Sequence, residues 1–364
     1  MNNLYSLWLQ GVSLGTEKKN QLLTYFKNAE GVYKANGRDY KEIGLEKIER
    51  EKLVSTKAQL EKAEEIERKC KALGFQILDQ CHAAYPNDLR EIPDAPIVLF
   101  AQGDLEILKR PLFAIVGSRK CSEYGYEIAY RLGAELAERG IVVVSGMALG
   151  IDEAAHKGAL SRGSSIAVLG TGLDKCYPKQ NYNIYREFPR RGCLLTEYEP
   201  GIEPLAFHFP QRNRIISGLS KGLLVVEANE KSGSLITANL ALEYNRDVFS
   251  VPGNINSRLS LGTNDLIKRG AKCVTRIEDI LEELAPHLQE ILDKSKKNSL
   301  LNPDYKLAQR ETIVYAYVSW NPICLEELLA QTNLSYVNLL NSIIELETHE
   351  LIKRLPGERY VRMK

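Results

Sequence analysis

The chain has 364 residues, of which 44% are hydrophobic and 26% charged, and its formal net charge is +1. This length predicts two or three domains of an ordinary globular protein, and the near-neutral charge means that binding to a polyanion would require a local basic patch. No segment approaches the roughly 20 consecutive apolar residues of a membrane helix, and the N-terminus lacks a signal-peptide pattern. Seven scattered cysteines without a CxxC pair predict reduced thiols in a cytoplasmic protein.

The first segment, residues 1–72, shows short helical patterns and predicts a small helical module of the SAM or helix-hairpin type. A glycine-bounded turn at Gly11–Gly15 is compatible with a clamp on a DNA backbone, but a packing module is the favoured interpretation. Residues 45–72 alternate acidic and basic side chains and predict one charged, solvated helix.

Residues 73–285 predict the main domain, of the α/β class. Two short strands, at Phe75–Leu78 and Ile97–Phe100, lead into a region where near-continuous Val/Ile/Leu strands alternate with helices, which is typical of an extended Rossmann-like core with a buried parallel sheet. The later strands are predicted at Leu112–Val116, Ile141–Val144, Ser165–Leu169, Cys193–Thr196, Gly222–Val226, Asp247–Val251 and Lys272–Val274. The helices are predicted at Tyr126–Arg139, Ile151–Ser161, Asn181–Arg190, Ser234–Tyr244 and Asn264–Lys268.

Residues 286–306 predict a linker, and residues 307–364 predict a winged-helix-like module, because short helices are followed by a strand–turn–strand at the end of the chain. The helix expected to enter a major groove, near residues 335–350, carries Glu345, Glu347 and Glu350 but no Lys or Arg. Acidic side chains are unfavourable between two rows of phosphates. We therefore expect this module to contact protein instead of reading DNA.

Two small-residue turns follow strands of the predicted sheet, Gly117-Ser118-Arg119 and Ser145-Gly146. Neither forms a GxGxxG fingerprint, and the chain contains no GxxxxGK[ST] motif. A turn that opens a helix can still offer backbone N–H groups to a phosphate, and Arg119 adds a bidentate fork. A purely structural turn is the alternative.

Asp152 and His156 lie four residues apart on one predicted helical face. Such a pair can act as a general base, but neither a nucleophile nor a metal-ligand partner accompanies it in the sequence. A helix-capping and packing pair is therefore the favoured interpretation, and we predict neither a catalytic residue nor a metal site.

The segment Lys175–Lys221 contains eight Lys/Arg and four Asp/Glu residues, with aromatic side chains between them. Cations and exposed π faces suit single-stranded nucleic acid, although only one or two of these aromatics are expected to be stacking platforms. Ser232-Gly233-Ser234 places hydroxyl groups at another predicted helix N-terminus, which is a second candidate anion site.

Together these motifs resemble the DprA/Smf family of DNA-processing proteins, in the right order over residues 75–285. The matching pieces are VGSR at 116–119, SGMALGID at 145–152, AVLGTGLDKCYPKQN at 167–181, LLTE at 194–197, FPQRNRIISGLS at 209–220, VVEANEKSGSLITANLALE at 225–243, VPGN at 251–254 and LGTNDLIKRGA at 261–271.

The resemblance implies a non-enzymatic protein without a cofactor that binds incoming single-stranded DNA in a basic groove and loads RecA recombinase onto it during natural transformation. It also implies a homodimer formed through the Rossmann-like domain. No membrane contact is expected, because no apolar segment is long enough to cross a bilayer. The DNA-binding residues that it implies, together with neighbouring small residues, are Gly117, Ser118, Arg119, Gly146, Lys179, Arg212, Arg214, Ser217, Ser232, Gly233 and Ser234.

An enzyme remains the alternative: a Rossmann-like nucleotide-binding hydrolase of the phosphoribohydrolase type, acting on a nucleoside monophosphate. Asp152, His156 or Glu197 would then carry the chemistry. The cluster of small-residue turns supports it, including Val251-Pro252-Gly253 and Gly262-Thr263. No pair of carboxylates at a recognisable motif accompanies these turns.

Overall fold

The computed structural model describes residues 3–285, 309–319, 322–332, 334–349 and 351–362. The chain divides into two compact units, Met1–Ile291 and Leu292–Lys364. The linker predicted at residues 286–306 lies outside the described residues.

In the described residues before the sheet there are six α-helices: α1 (Leu4–Gly11), α2 (Thr16–Phe26), α3 (Ala29–Lys34), α4 (Gly37–Glu42), α5 (Lys47–Thr56) and α6 (Leu60–Leu73). The prediction of one helix over residues 45–72 was wrong, because a short 3₁₀ turn at Lys57–Gln59 separates α5 from α6. Tertiary contacts accompany the break. The indole of Trp8 donates to the carbonyl oxygen of Thr56 at 2.9 Å, and the hydroxyl of Tyr33 donates to that of Lys57 at 3.3 Å.

Within residues 3–285 the sheet has nine strands: β1 (Gln76–Asp79), β2 (Val98–Gly103), β3 (Leu112–Val116), β4 (Val142–Ser145), β5 (Ser165–Val168), β6 (Cys193–Thr196), β7 (Gly222–Val225), β8 (Asp247–Ser250) and β9 (Lys272–Cys273). Their order is β1-β2-β6-β5-β4-β3-β7-β8-β9. Strands β3 to β9 pair in parallel, while β2 pairs antiparallel with both β1 and β6. The two lead-in strands therefore extend the predicted parallel sheet as an antiparallel edge.

The helices around the sheet are α7 (Asn87–Arg90), α8 (Glu123–Glu138), α9 (Ile151–Arg162), α10 (Tyr182–Tyr185), α11 (Phe188–Arg191), α12 (His208–Leu219), α13 (Gly233–Glu243), α14 (Leu261–Lys268) and α15 (278–285). They cover both faces of the sheet. Since successive side chains of a strand point to opposite faces, neighbouring residues of one strand contact different helices. On β3, Ala114 packs with the residues of α12 and α13, whereas Phe113 and Ile115 pack with those of α8 and α9. The core is thus the predicted α/β, Rossmann-like fold.

Two helix predictions in this domain need correction. The helix expected over Asn181–Arg190 is divided into a 3₁₀ turn at Lys179–Asn181 followed by α10 and α11. Proline has no N–H to donate, and Pro189 falls in the first turn of α11, a position that proline tolerates. The second correction is α12, which was absent from the predicted helices.

The helices of residues 4–73 form one apolar cluster with the sheet. Leu7 and Leu22 of this module belong to the same buried cluster as Phe100 of β2 and Leu194 of β6. The boundary predicted at residue 72 therefore separates two parts of a single compact unit, and as a domain boundary it stays a prediction.

The C-terminal unit contains α16 (Gln309–Tyr317), β10 (Ile323–Cys324), α17 (Leu325–Thr332), α18 (Tyr336–Thr348), β11 (Ile352–Leu355) and β12 (Arg359–Arg362). The three strands among its described residues form an antiparallel sheet in the order β10-β12-β11. This succession of elements is compatible with a winged helix, and that assignment stays a prediction. Among the described residues, no helix combines the length and the apolar character that crossing a membrane requires.

Candidate nucleic-acid interface

The carboxyl ends of four parallel strands lie side by side in the order β5-β4-β3-β7. After β3, strands β4, β5 and β6 are added in succession toward one edge of the sheet. Strands β7, β8 and β9 are then added toward the opposite edge, so the direction of strand addition reverses between β3 and β7. Open α/β sheets bind ligands outside the carboxyl ends of their strands at such a reversal. The loop after β3, residues 117–122, lies there and is called the GSR loop below.

The GSR loop is held by backbone hydrogen bonds to the segment after β7 and to the first residue of α9. The N–H of Ser118 donates to the carbonyl oxygen of Glu227, after β7, at 2.8 Å, and the N–H of Ile151 donates to the carbonyl oxygen of Ser118 at 3.2 Å. A Cβ on Gly117 would lie 2.7 Å from Cγ1 of Ile151, so this glycine permits close packing. The loop is thereby fixed while the side chain of Arg119 stays exposed.

Arg119, Phe209 and Tyr177 form a column in which one cation is followed by two aromatic rings. The guanidinium of Arg119 lies 5.5 Å from the ring centroid of Phe209, and that ring lies 5.4 Å from the ring of Tyr177. Tyr177 is 44% exposed, and Lys179, two residues further on, is exposed as well. Of the predicted DNA-binding cations, Arg119 thus belongs to the column and Lys179 follows Tyr177 by two residues. Phe209 connects Arg119 to Tyr177, a contact that the sequence alone did not identify.

Glu227 was also missed by the sequence analysis. It follows β7 and is buried, and its carboxylate accepts hydrogen bonds from the N–H of Ser122 at 2.8 Å and from the hydroxyl of Ser122 at 2.5 Å. Ser122 is the N-cap of α8 and also accepts from the N–H of Gly125 at 3.1 Å. The signal available in the sequence was an acidic residue directly after the apolar strand Leu223–Val226.

The turn that begins at the last residue of β4, residues 145–150, has its polar groups directed inward and is called the 145–150 loop below. Asp152 accepts from the N–H groups of Gly146 at 3.1 Å and Ala148 at 3.4 Å. The side-chain amide of Asn181 donates to the carbonyl oxygens of Met147 at 2.9 Å and of Ala148 at 3.2 Å. This loop is therefore a structural turn whose donors and acceptors are largely satisfied within the protein.

His156 is fully buried under the 145–150 loop. Its Nε2 accepts from the N–H of Met147 at 3.3 Å, which places the proton on Nδ1, where Ser165 Oγ lies at 2.8 Å. Ser165 donates in turn to the carbonyl oxygen of Val143 at 2.8 Å. Burial lowers the pKa of His156 to about 3, so the ring is neutral near pH 7.

Asp152 and His156 thus support the preceding loop, which agrees with the packing role favoured above. The capping part of that interpretation was wrong, because Gly150 is the N-cap of α9 and Asp152 bonds back to the loop. Burial raises the pKa of Asp152, while the nearby guanidinium of Arg212 and the two N–H donors favour its charged form.

Arg212, predicted to contact DNA, lies inside the domain. It is 4% exposed, and its guanidinium donates to the carbonyl oxygen of Gly146 at 2.7 Å and to that of Val168. A Cβ on Gly146 would lie 2.6 Å from this guanidinium, so the close approach that this glycine allows is made by the protein itself. The reason is helical spacing: Arg212 shares the inward face of α12 with Ile215 and Ile216.

Arg214 and Ser217, two further predicted contacts, are buried on the same helix. Arg214 forms ion pairs with Glu197 and, at 3.4 Å, with Asp94. Burial raises the pKa of Glu197, and the positive charge of Arg214 opposes that effect. The hydroxyl of Ser217 donates to the carbonyl oxygen of Thr237 at 2.8 Å. Glu197 therefore serves an ion pair within the protein.

Ser232-Gly233-Ser234 begins α13, as predicted, with Ser232 as the N-cap. The hydroxyl groups of Ser232 and Ser234 lie 2.7 Å apart, and Ser234 is buried whereas Gly233 is exposed. At this turn the backbone of Gly233 is exposed to solvent, and the hydroxyl-bearing Ser232 is partly exposed.

Comparison with known proteins decides what kind of protein carries this sheet edge. The family model of DNA recombination-mediator protein A matches residues 76–285. Protein Smf of Escherichia coli is 40% identical over 283 residues, which are 77% of this chain and 75% of that protein. The chain belongs to the DprA/Smf family. DNA processing protein DprA of Streptococcus pneumoniae is 51% identical over 211 residues, 58% of this chain and 73% of that protein.

Solved DprA structures share the fold. The X-ray structure of DprA from Streptococcus pneumoniae is 39% identical, covers 78% of this chain and 98% of its own, and superposes with a TM-score of 0.69. DprA from Helicobacter pylori, whose structure describes a single-stranded DNA binding mode, is 32% identical, covers 58% of this chain and 96% of its own, and gives a TM-score of 0.54. The predicted DprA/Smf membership and Rossmann-like fold are confirmed.

Proposed function

We propose that this chain is a DNA-processing protein that binds single-stranded DNA along the carboxyl edge of its parallel sheet and, as a homodimer, loads RecA recombinase onto the bound strand in the cytoplasm. The observation that carries the DNA-binding proposal is the column formed by Arg119, Phe209 and Tyr177. Single strands bind where cations meet phosphates and exposed aromatic rings meet unstacked bases. The described single-stranded DNA binding mode of the Helicobacter pylori relative supports the same choice of ligand.

The residues divide into two roles under this proposal. Arg119 and Lys179, which are exposed, contact phosphates, and Tyr177 offers its ring to a base. Ser118, Ser232 and Gly233 add hydroxyl or backbone donors where they are accessible at the edge. The remaining predicted residues act from inside by holding the loops and helices in place: Gly117, Gly146, Arg212, Arg214, Ser217 and Ser234.

The structure favours this non-enzymatic role over the hydrolase alternative. A general base needs a free acceptor within reach of a substrate. Asp152 and His156 are buried, and Oδ2 of Asp152 and Nε2 of His156 receive hydrogen bonds from the 145–150 loop. Glu197 is engaged by Arg214. Incubation with nucleoside monophosphates followed by chromatography should show no released base, and released base would support the enzyme instead.

The proposal is tested by the fluorescence anisotropy of a labelled oligothymidylate titrated with the protein at two salt concentrations. The affinity should fall with salt, with a logarithmic slope of about −0.7 for each phosphate contact. A duplex of the same length is the control for non-specific attraction. Absent binding, or binding that does not respond to salt, would contradict the proposal.

The dimer and the RecA step are tested separately. Light scattering on the full chain should give twice the mass of one chain, and the rate of RecA filament formation on single strands should rise when the chain is added. A monomer, or a rate that does not change, would remove those parts of the proposal while leaving DNA binding intact.

A further inference from the structure

The N-terminus of α8 already holds an anion, and that anion belongs to the protein. In a mononucleotide-binding βαβ unit, the helix that follows the strand at the reversal point binds a phosphate at its first turn. Here β3, the GSR loop and α8 form that unit, and the carboxylate of Glu227 receives both the N–H and the hydroxyl of Ser122, the N-cap. A negative charge at this place is stabilised by the helix dipole.

A glycine supports the same interpretation independently. Gly125 lies in the first turn of α8, and a Cβ at this position would lie 2.5 Å from Oε2 of Glu227. A side chain there would displace the carboxylate. In dinucleotide-binding folds a glycine at the start of the helix lets a phosphate approach the backbone, whereas this glycine lets a carboxylate approach.

We propose that Glu227 is a specificity-determining residue that occupies the phosphate position at the start of α8 and excludes inorganic phosphate and nucleoside monophosphates. A phosphate placed there would meet a fixed negative charge at contact distance, and like charges repel more strongly at the lower effective dielectric of a protein surface than in water. The outward cations Arg119 and Lys179 remain available.

The consequence, which rests on the proposed binding of single-stranded DNA, is selection of a polymer over its monomers. A strand reaches several outward contacts at once, and their contributions add along one molecule. A mononucleotide reaches one or two of them and finds the deeper phosphate position filled. The sheet edge would thereby stay open to DNA in the presence of free nucleotides.

The test is titration of thymidine 5′-monophosphate and, separately, of inorganic phosphate into the wild-type protein and the Glu227→Ala variant by calorimetry at constant ionic strength. The variant should bind either anion about tenfold more tightly than the wild-type protein, because a vacated helix N-terminus stabilises an anion. Glu230→Ala is the matched control: it removes the same charge from an exposed position three residues further along and should bind like the wild-type protein.

Three results would overturn the inference. The first is a folded Glu227→Ala variant, verified by circular dichroism, that gains no affinity, and the second is an equal gain in Glu230→Ala. The third is a wild-type protein that binds thymidine 5′-monophosphate as tightly as it binds the oligothymidylate. If Glu227→Ala does not fold, Glu227→Gln retains the size of the side chain and removes its charge, and it should show a smaller gain. If neither folds, the wild-type titration decides. Oligothymidylate binding by the wild-type protein, measured in the same buffer, separates a failure of the DNA-binding proposal from a failure of this one.

Discussion

The loops after β3 and β4 have similar sequences of small residues and end neighbouring strands, yet they have opposite structural roles. The GSR loop is fixed through its backbone and leaves Arg119 exposed. The 145–150 loop is tied inward by Asp152, His156, Asn181 and Arg212. The difference teaches that a glycine turn at a sheet edge does not by itself indicate a ligand, because the backbone groups of both turns are used within the protein and only the GSR loop leaves a charged side chain exposed.

The largest expected effect tests the inward loop. Arg212→Ala removes the donor to two buried carbonyl oxygens and the positive charge near the buried carboxylate of Asp152. Removing one partner from a buried charged network typically lowers the free energy of unfolding by about 3–5 kcal/mol. Urea denaturation measures this, with the exposed Arg186→Ala as a control expected to change it by no more than about 0.5 kcal/mol. A stable Arg212→Ala protein that had lost DNA binding would instead make Arg212 a direct DNA contact.

Substitution of Gly146 tests the same loop with a smaller expected loss of stability, and Gly233 provides the control. Gly146→Ala places a Cβ against the guanidinium of Arg212 and should lower the free energy of unfolding by about 1–3 kcal/mol. Gly233→Ala meets no atom within 4 Å and lies at the start of α13, so it should be neutral within about 0.5 kcal/mol. Urea denaturation of both variants decides, and equal losses would show that the tight contact at Gly146 has no energetic weight.

The buried histidine makes the stability of the inward loop depend on pH. The pKa of His156 is about 3 in the folded protein and about 6.5 in an unfolded chain, so below pH 6.5 only the unfolded state takes up this proton. The stabilisation is present above pH 6.5 and is lost as the pH falls toward 3. Between about pH 7 and pH 5 the wild-type protein should lose roughly 2 kcal/mol more than His156→Gln. Urea denaturation at each pH measures the free energy of unfolding. Equal losses in the two proteins would show that the ring accepts a proton while the protein is folded.

The smallest expected effect tests the outward loop. Arg119→Ala should weaken oligothymidylate binding about tenfold, the loss of one charge-assisted contact, and reduce the salt slope by about 0.7. Lys120→Ala, a neighbouring exposed cation, should have a clearly smaller effect. Anisotropy titrations at two salt concentrations measure both. Equal effects would mean that the GSR loop is structural, like the loop after β4.

The strands of the core could be predicted because burial on both faces of a parallel sheet requires continuous apolar runs, as at Leu112–Val116 and Gly222–Val226. Helix α12 was missed because its inward face contains Arg212 beside Ile215 and Ile216, so a charge interrupts the apolar periodicity. The same charge made the segment resemble an exposed basic patch. A buried arginine is expected only where carbonyl acceptors surround it, and those acceptors come from other strands.

The sequence by itself determined the family, the strand-and-helix alternation and the places where turns end strands, since these depend on local composition and on motifs within short segments. Only the tertiary structure decided which turn faces a ligand. The partners that fill the inward loop and the start of α8 are far away in the chain: Gly146 and Arg212 are 66 residues apart, and Ser122 and Glu227 are 105 residues apart. Hydrogen bonds between such distant groups depend on the order of the strands in the sheet, so no local sequence pattern predicts them.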